Sequence, residues 1–161
     1  MKTKISILDR LSLWLQYLGA AALTAMMLLT VADVVGRFFK HPIFGSVELV
    51  GFLAVIVMAA ALPYTYKMDG HVGVEIVTRL LPKNIRQGLE IITRTLSFIL
   101  FSVIAWQMFL YAGDIRDTGE VSMNLEFPIH YIVSILAAGL AVFAVIIGQR
   151  IIDTMKQKKE S

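Results

Sequence analysis

The sequence predicts an all-α membrane protein with four transmembrane helices, both termini cytoplasmic, and a short amphipathic in-plane helix between helices 2 and 3. Three observations carry this prediction. The 161 residues are 57% hydrophobic and only 17% charged, with a mean hydropathy of +0.73, too apolar for a soluble domain of this size. Apolar runs at about 11–32, 47–66, 89–112 and 127–151 each reach the roughly 20 residues that cross a bilayer core. The basic residues, finally, alternate sides. Lys2, Lys4 and Arg10 precede helix 1, Lys67, Arg79, Lys83 and Arg86 lie between helices 2 and 3, and Arg150, Lys156, Lys158 and Lys159 end the chain. Only Arg37, Lys40 and Arg116 fall on the other side, so the positive-inside rule puts the termini and middle loop in the cytoplasm. Connections are short, and residues 1–161 read as a single four-helix membrane domain.

The net charge of +3 follows from this topology and calls for no nucleic-acid partner. Cysteine is absent, which excludes disulfides, thiolate metal sites and cysteine nucleophiles. The first apolar run is longer than the 7–15-residue core of a signal peptide and continues to Asp33, so it is expected to stay as a helix.

Helix 1 carries Trp14 and Tyr17 at headgroup depth and can extend to Phe39, where the residues before Pro42 disfavour further helix. Asp33 and Arg37 are then four apart in the acid-first order that favours an ion pair. They are expected at the outer end, in an interfacial pair or a subunit contact.

Helix 2 runs from Ser46 to Tyr66, about 30 Å at 1.5 Å per residue. That count places Glu48 in the first turn, where unpaired N–H groups and the positive dipole end favour a carboxylate; a charge at the bilayer centre is costly. Glu48 is expected at the outer interface near Arg37, and the helix is expected to end at Pro63.

In "HVGVEIVTRLL", steps of 100° put Val72, Val74, Ile76, Val77, Leu80 and Leu81 on one arc, with His71, Glu75, Thr78 and Arg79 on the rest and Pro82 as a stop. His71, Val74, Glu75, Ile76, Arg79 and Leu80 are thus expected in a helix lying in the cytoplasmic interface. A helix packed on protein is the alternative.

Helix 3 places Arg94 one turn inside its cytoplasmic end, within reach of Glu90 or of the headgroups by snorkelling. Gln107 is expected as a buried amide bonded to another helix. Helix 4 opens at Pro128, a favoured first-turn residue, and Ala137, Ala141, Ala144 and Gly148 are spaced for close helix approach. Between helices 3 and 4, "GDIRDTGEVSMNLEFP" holds Asp114, Asp117, Glu120 and Glu126 against one base, Arg116. It is a solvated outer loop or, more sharply, a docking face that includes Ser122.

His41, His71 and His130 sit at helix boundaries or in loops, which opposes a bis-histidine haem bundle. With no phosphate loop, metal-ligand spacing or nucleophile–base pair, neither an enzyme nor a cofactor is expected.

Three boundary stretches resemble a known family. "DVVGRFFKHPIFGSVEL" supplies Arg37, Pro42 and Glu48; "GHVGVEIVTRLLP" supplies His71, Glu75 and Pro82; "TGEVSMNLEFPIHY" supplies Gly119, Ser122, Leu125 and Pro128. Their order and spacing are similar to those of the DctQ-like small membrane subunit of tripartite ATP-independent periplasmic (TRAP) transporters, over nearly the whole chain. Gly45, where an aromatic often stands, and His130, where a tryptophan often follows the proline, depart from that pattern. The resemblance implies a bacterial inner-membrane importer in which a periplasmic binding protein captures an organic acid. A large sodium-driven membrane subunit carries it inward, braced by the small one. Asp33, Arg37, Pro42, Glu48, Gln107 and Pro128 are expected in interface or structural roles, with the lipid bilayer as a further partner. The alternative, a self-sufficient four-helix proton-coupled multidrug exporter, needs a carboxylate well inside a span, and Glu48 at a helix end fits that poorly.

Overall fold

The computed structural model describes residues 7–67 and 83–160 and is helical nearly throughout. Helices α1 (Ile7–Phe38), α2 (Ser46–Lys67), α3 (Lys83–Thr118) and α4 (Ile129–Glu160) follow in chain order. All four are long and apolar enough to cross a membrane, through Arg10–Phe38, Ser46–Tyr66, Ile91–Thr118 and Ile129–Ile152. The expected in-plane helix, with His71, Val74, Glu75, Ile76, Arg79 and Leu80, lies outside the described residues.

The helices pack in the order α1, α2, α4, α3: α1 against α2, α2 against α4, and α4 against α3. The core is therefore centred on α4, where Ala137, Leu140, Phe143, Ala144, Ile146 and Ile147 are buried. The flanking α1 and α3 keep one side against their neighbour and turn broad apolar surfaces outward, including Met27, Leu28 and Val31 on α1 and Leu96, Val103 and Trp106 on α3. Lipid tails are as apolar as these side chains, so van der Waals fit rather than water exclusion must hold such helices together.

That fit comes from small residues at each crossing. A Cβ placed on Gly19 would lie 3.3 Å from the Ala60 Cβ, joining α1 to α2. One placed on Gly139 would lie 2.6 Å from the Ala59 Cβ and 2.9 Å from the Ala59 carbonyl, joining α2 to α4. Gly148 receives the Phe98 ring of α3, at 3.2 Å from such a Cβ. The consecutive residues Ala59 and Ala60, both buried, thus serve α2's two neighbours. Of the small residues expected to pack on helix 4, Ala137 and Ala144 are buried while Ala141 is exposed; the closest approach belongs to Gly139 instead. An aromatic chain reinforces the centre, Tyr66 meeting Phe143 edge-on at 5.5 Å and Phe143 meeting Phe101 at 4.6 Å.

Helix α2 does not end at Pro63. It continues to Lys67 with Pro63 inside it and fully buried. The ring removes the bond that residue 63 would donate to the Ala59 carbonyl, and that carbonyl sits at the Gly139 crossing. Neighbouring helices often re-satisfy backbone groups freed by proline in membranes, which explains why the helix survives.

Candidate functional site

The polar chemistry of the described residues gathers at the end of the bundle where the two connections, 39–45 and 119–128, meet. It starts with how α1 stops. Lys40 takes φ 62°; its N–H bonds the Arg37 carbonyl and the His41 N–H bonds the Gly36 carbonyl at 2.8 Å, the paired closing bonds of a Schellman turn. Position 36 must be glycine, because a Cβ there would fall 2.4 Å from the His41 carbonyl oxygen. Pro42 then prevents the helix from resuming.

Asp33, buried in the last turns of α1, fastens this reversal. One carboxylate oxygen accepts the Arg37 Nε–H at 2.8 Å and the other accepts the Ile43 N–H at 2.9 Å. The i,i+4 pair expected from sequence is therefore present, but the acid also reaches across the turn to Ile43, just before α2. Arg37 itself is largely exposed, its side chain 57% accessible.

Glu48 lies in the first turn of α2, as the length count predicts. It does not pair with Arg37. Its carboxylate is taken by the other connection: Oε1 accepts the Asn124 backbone N–H and side-chain amide, both at 2.7 Å, and Oε2 accepts the Leu125 N–H at 3.1 Å. Two backbone N–H groups with no helix to pair with make a better match for two carboxylate oxygens than one exposed guanidinium already held by Asp33.

The 119–128 segment is shaped to offer those donors. Gly119, at φ 70°, closes α3 as its own N–H and that of Glu120 both bond the Ile115 carbonyl. The Ser122 N–H bonds the Phe127 carbonyl at 2.9 Å, the Phe127 N–H returns to Ser122 Oγ at 3.2 Å, and the Ile129 N–H reaches the Glu120 carbonyl. This closed loop ends at Pro128, directly before α4. Leu125 extends from it onto Gly45, where an added Cβ would fall 2.6 Å from the leucine side chain. Gly45 also has φ 70°, so the aromatic expected before Ser46 is replaced here by a residue that meets both conditions.

The acidic residues proposed from sequence as a docking set divide in this geometry. Asp114 and Asp117 are exposed on the final turns of α3, and Glu120 and Glu126 are exposed in the connection. Ser122 is buried within the loop's own hydrogen bonds. Gln107 also departs from its expected place: it is exposed on α3 and bonds no other helix of the chain among the described residues. At the opposite end, Arg94 donates from Nη1 to the Arg150 carbonyl at 3.3 Å, a helix-to-helix tie.

The arrangement is a latch. Asp33 joins α1 to the connection that leads into α2, and Glu48 joins α2 to the connection between α3 and α4; sequence spacing shows the Asp33–Arg37 pair but not the Glu48 contacts, whose members are 76 and 77 residues apart. Comparison with protein families finds a match, over residues 26–157, to a family described as "Tripartite ATP-independent periplasmic transporters, DctQ component". Comparison with curated proteins returns no match.

Proposed function

We propose a function from one premise: the chain belongs to the DctQ component family of tripartite ATP-independent periplasmic transporters. It is a TRAP small permease component and a multi-pass membrane protein. In our reading it braces the large permease of a sodium-coupled, binding-protein-dependent importer of organic acids, in a bacterial inner membrane with both termini cytoplasmic. The observation that carries the bracing role is the engagement of Asp33 and Glu48. Each carboxylate is committed to donors from a neighbouring element, which suits fixing helix positions and suits a cycling proton carrier poorly. That same engagement weighs against the proton-coupled exporter.

One further part belongs to this proposal. The exposed acids Asp114, Asp117, Glu120 and Glu126 face the periplasm and steer a basic patch of the binding protein, chiefly through association rate.

Reconstitution tests the function. Uptake of a radiolabelled carboxylate into proteoliposomes is expected only when the chain, the large permease and the binding protein are all present with a sodium gradient. Proton-driven transport by the purified chain alone would favour the exporter. Reversing Asp117 and Glu120 to lysine is expected to slow uptake at limiting binding protein, more at low salt than at high.

A further inference from the structure

Helix α3 turns Phe101, Ala105, Ala112 and Ile115 inward. On its other side, Leu96, Leu100, Val103, Gln107, Leu110 and Asp114 are all exposed. Their separations alternate between four and three residues, the seam that lets one helix pack along another at a shallow angle. One member does not suit lipid. From Arg94 to Asp114 is 20 residues, about 30 Å of helix, the thickness of the hydrocarbon core. Gln107 precedes Asp114 by seven, so it sits about 10 Å inside the core.

The exposed hydroxyls of Thr24, Thr30, Thr65, Thr95 and Ser134 each bond the carbonyl four residues earlier. The Gln107 amide has no such partner among the described residues, and an exposed amide at that depth finds no water to bond. A helix of another protein carrying a hydrogen-bonding group at the same level would satisfy it.

We propose that this seam is the face on which a transmembrane helix of the large permease docks, with Gln107 hydrogen-bonded to a hydroxyl, amide or freed backbone carbonyl of that helix. The proposal rests on the small-permease reading. A second copy fits less well. Two copies inserted in the same orientation and related by a two-fold axis along the membrane normal would bring Asp114 against Asp114, whereas a different helix can present a neutral or basic group there.

The test uses the intact complex. Benzoylphenylalanine is introduced at Leu100 or Val103, and at Leu28 or Val31 on α1 for comparison, and membranes are irradiated before purification. Adducts with the large permease are expected from Leu100 and Val103 and not from Leu28 and Val31. Gln107→Leu in the same background is expected to lower the adduct yield about threefold while total expression stays unchanged. Adducts between two copies of the chain, or adducts with lipid alone while the permease still co-purifies, would overturn the docking face and leave the small-permease reading intact. A chain that co-purifies with no large permease would overturn both.

Discussion

The start of α2 and its middle are held by different physics. At its start, the backbone reverses twice and a polar latch forms: Asp33 and Glu48 collect N–H groups from non-helical segments that would otherwise face a membrane boundary unpaired. Eleven residues after Glu48, at Ala59, fixation is steric: alanine meets glycine and no side-chain hydrogen bond is involved. The difference follows from solvent. Near the headgroups, irregular backbone can exist if its polar groups find partners; inside hydrocarbon the backbone must stay helical, and closeness of approach is the remaining variable. The latch sets which elements meet, and the crossing sets how closely.

Substitutions that disturb one region and not the other sharpen this contrast. The largest effect is expected at the crossing. Gly139→Leu drives a side chain into the Ala59 backbone, 3.0 Å from its Cα before any leucine atom beyond Cβ is counted. Overpacking of this kind costs about 1–3 kcal/mol or more, and the thermal midpoint of the purified complex should fall by about 10 °C. A loss below about 2 °C would show that α2 and α4 are not in contact there.

Next comes a glycine pair with equal φ and unequal surroundings. Gly45→Ala combines a left-handed residue with the Leu125 side chain, whereas Gly119→Ala at the same φ meets nothing within 4 Å. The backbone term is about 1–2 kcal/mol in both, so Gly45→Ala should lower the midpoint roughly twice as much as Gly119→Ala. Equal effects would remove Leu125 from the latch.

Glu48→Ala leaves the Asn124 and Leu125 N–H groups without their acceptor and should lower the midpoint by about 5 °C. Protease cleavage within 119–128 should rise as well, a change that Gly139→Leu should not reproduce. The smallest effect is expected from Asp33→Asn. The amide oxygen can still accept the Ile43 N–H, and what is lost is an ion pair with a largely exposed arginine, so a drop of about 2 °C or less is expected.

The sequence made some of this legible and not the rest, for identifiable reasons. Four spans follow from hydropathy, because a bilayer demands long apolar helices whatever their partners. The Asp33–Arg37 pair is local and follows helical spacing. Glu48 could be placed at a helix start by counting, but its partners come from the far side of α3, and nothing in the spacing of residues 48, 124 and 125 encodes their meeting. Helix 4 offers several small residues, and choosing Gly139 over Ala141 requires the rotation of α4 relative to α2, which an apolar surface on all sides does not reveal. Gln107 failed for the same reason: with leucine, valine, isoleucine and phenylalanine all around α3, periodicity does not separate its inward face from its outward one. Pro63 ended the expected helix because the local rule favours a break, and the surrounding helices reverse it.

The central claim is that the acids of this chain hold structure and do not carry coupling ions. The most direct test is the sodium dependence of uptake by the complete reconstituted system with Glu48→Gln, measured per assembled complex. The neutral amide keeps the shape of the carboxylate but cannot accept all three donors from Asn124 and Leu125. The account predicts a reduced yield of complex, with the sodium concentration for half-maximal uptake and the steepness of the curve unchanged in the complexes that do form. Normal yield with a shifted sodium requirement, or with newly altered proton dependence, would contradict it.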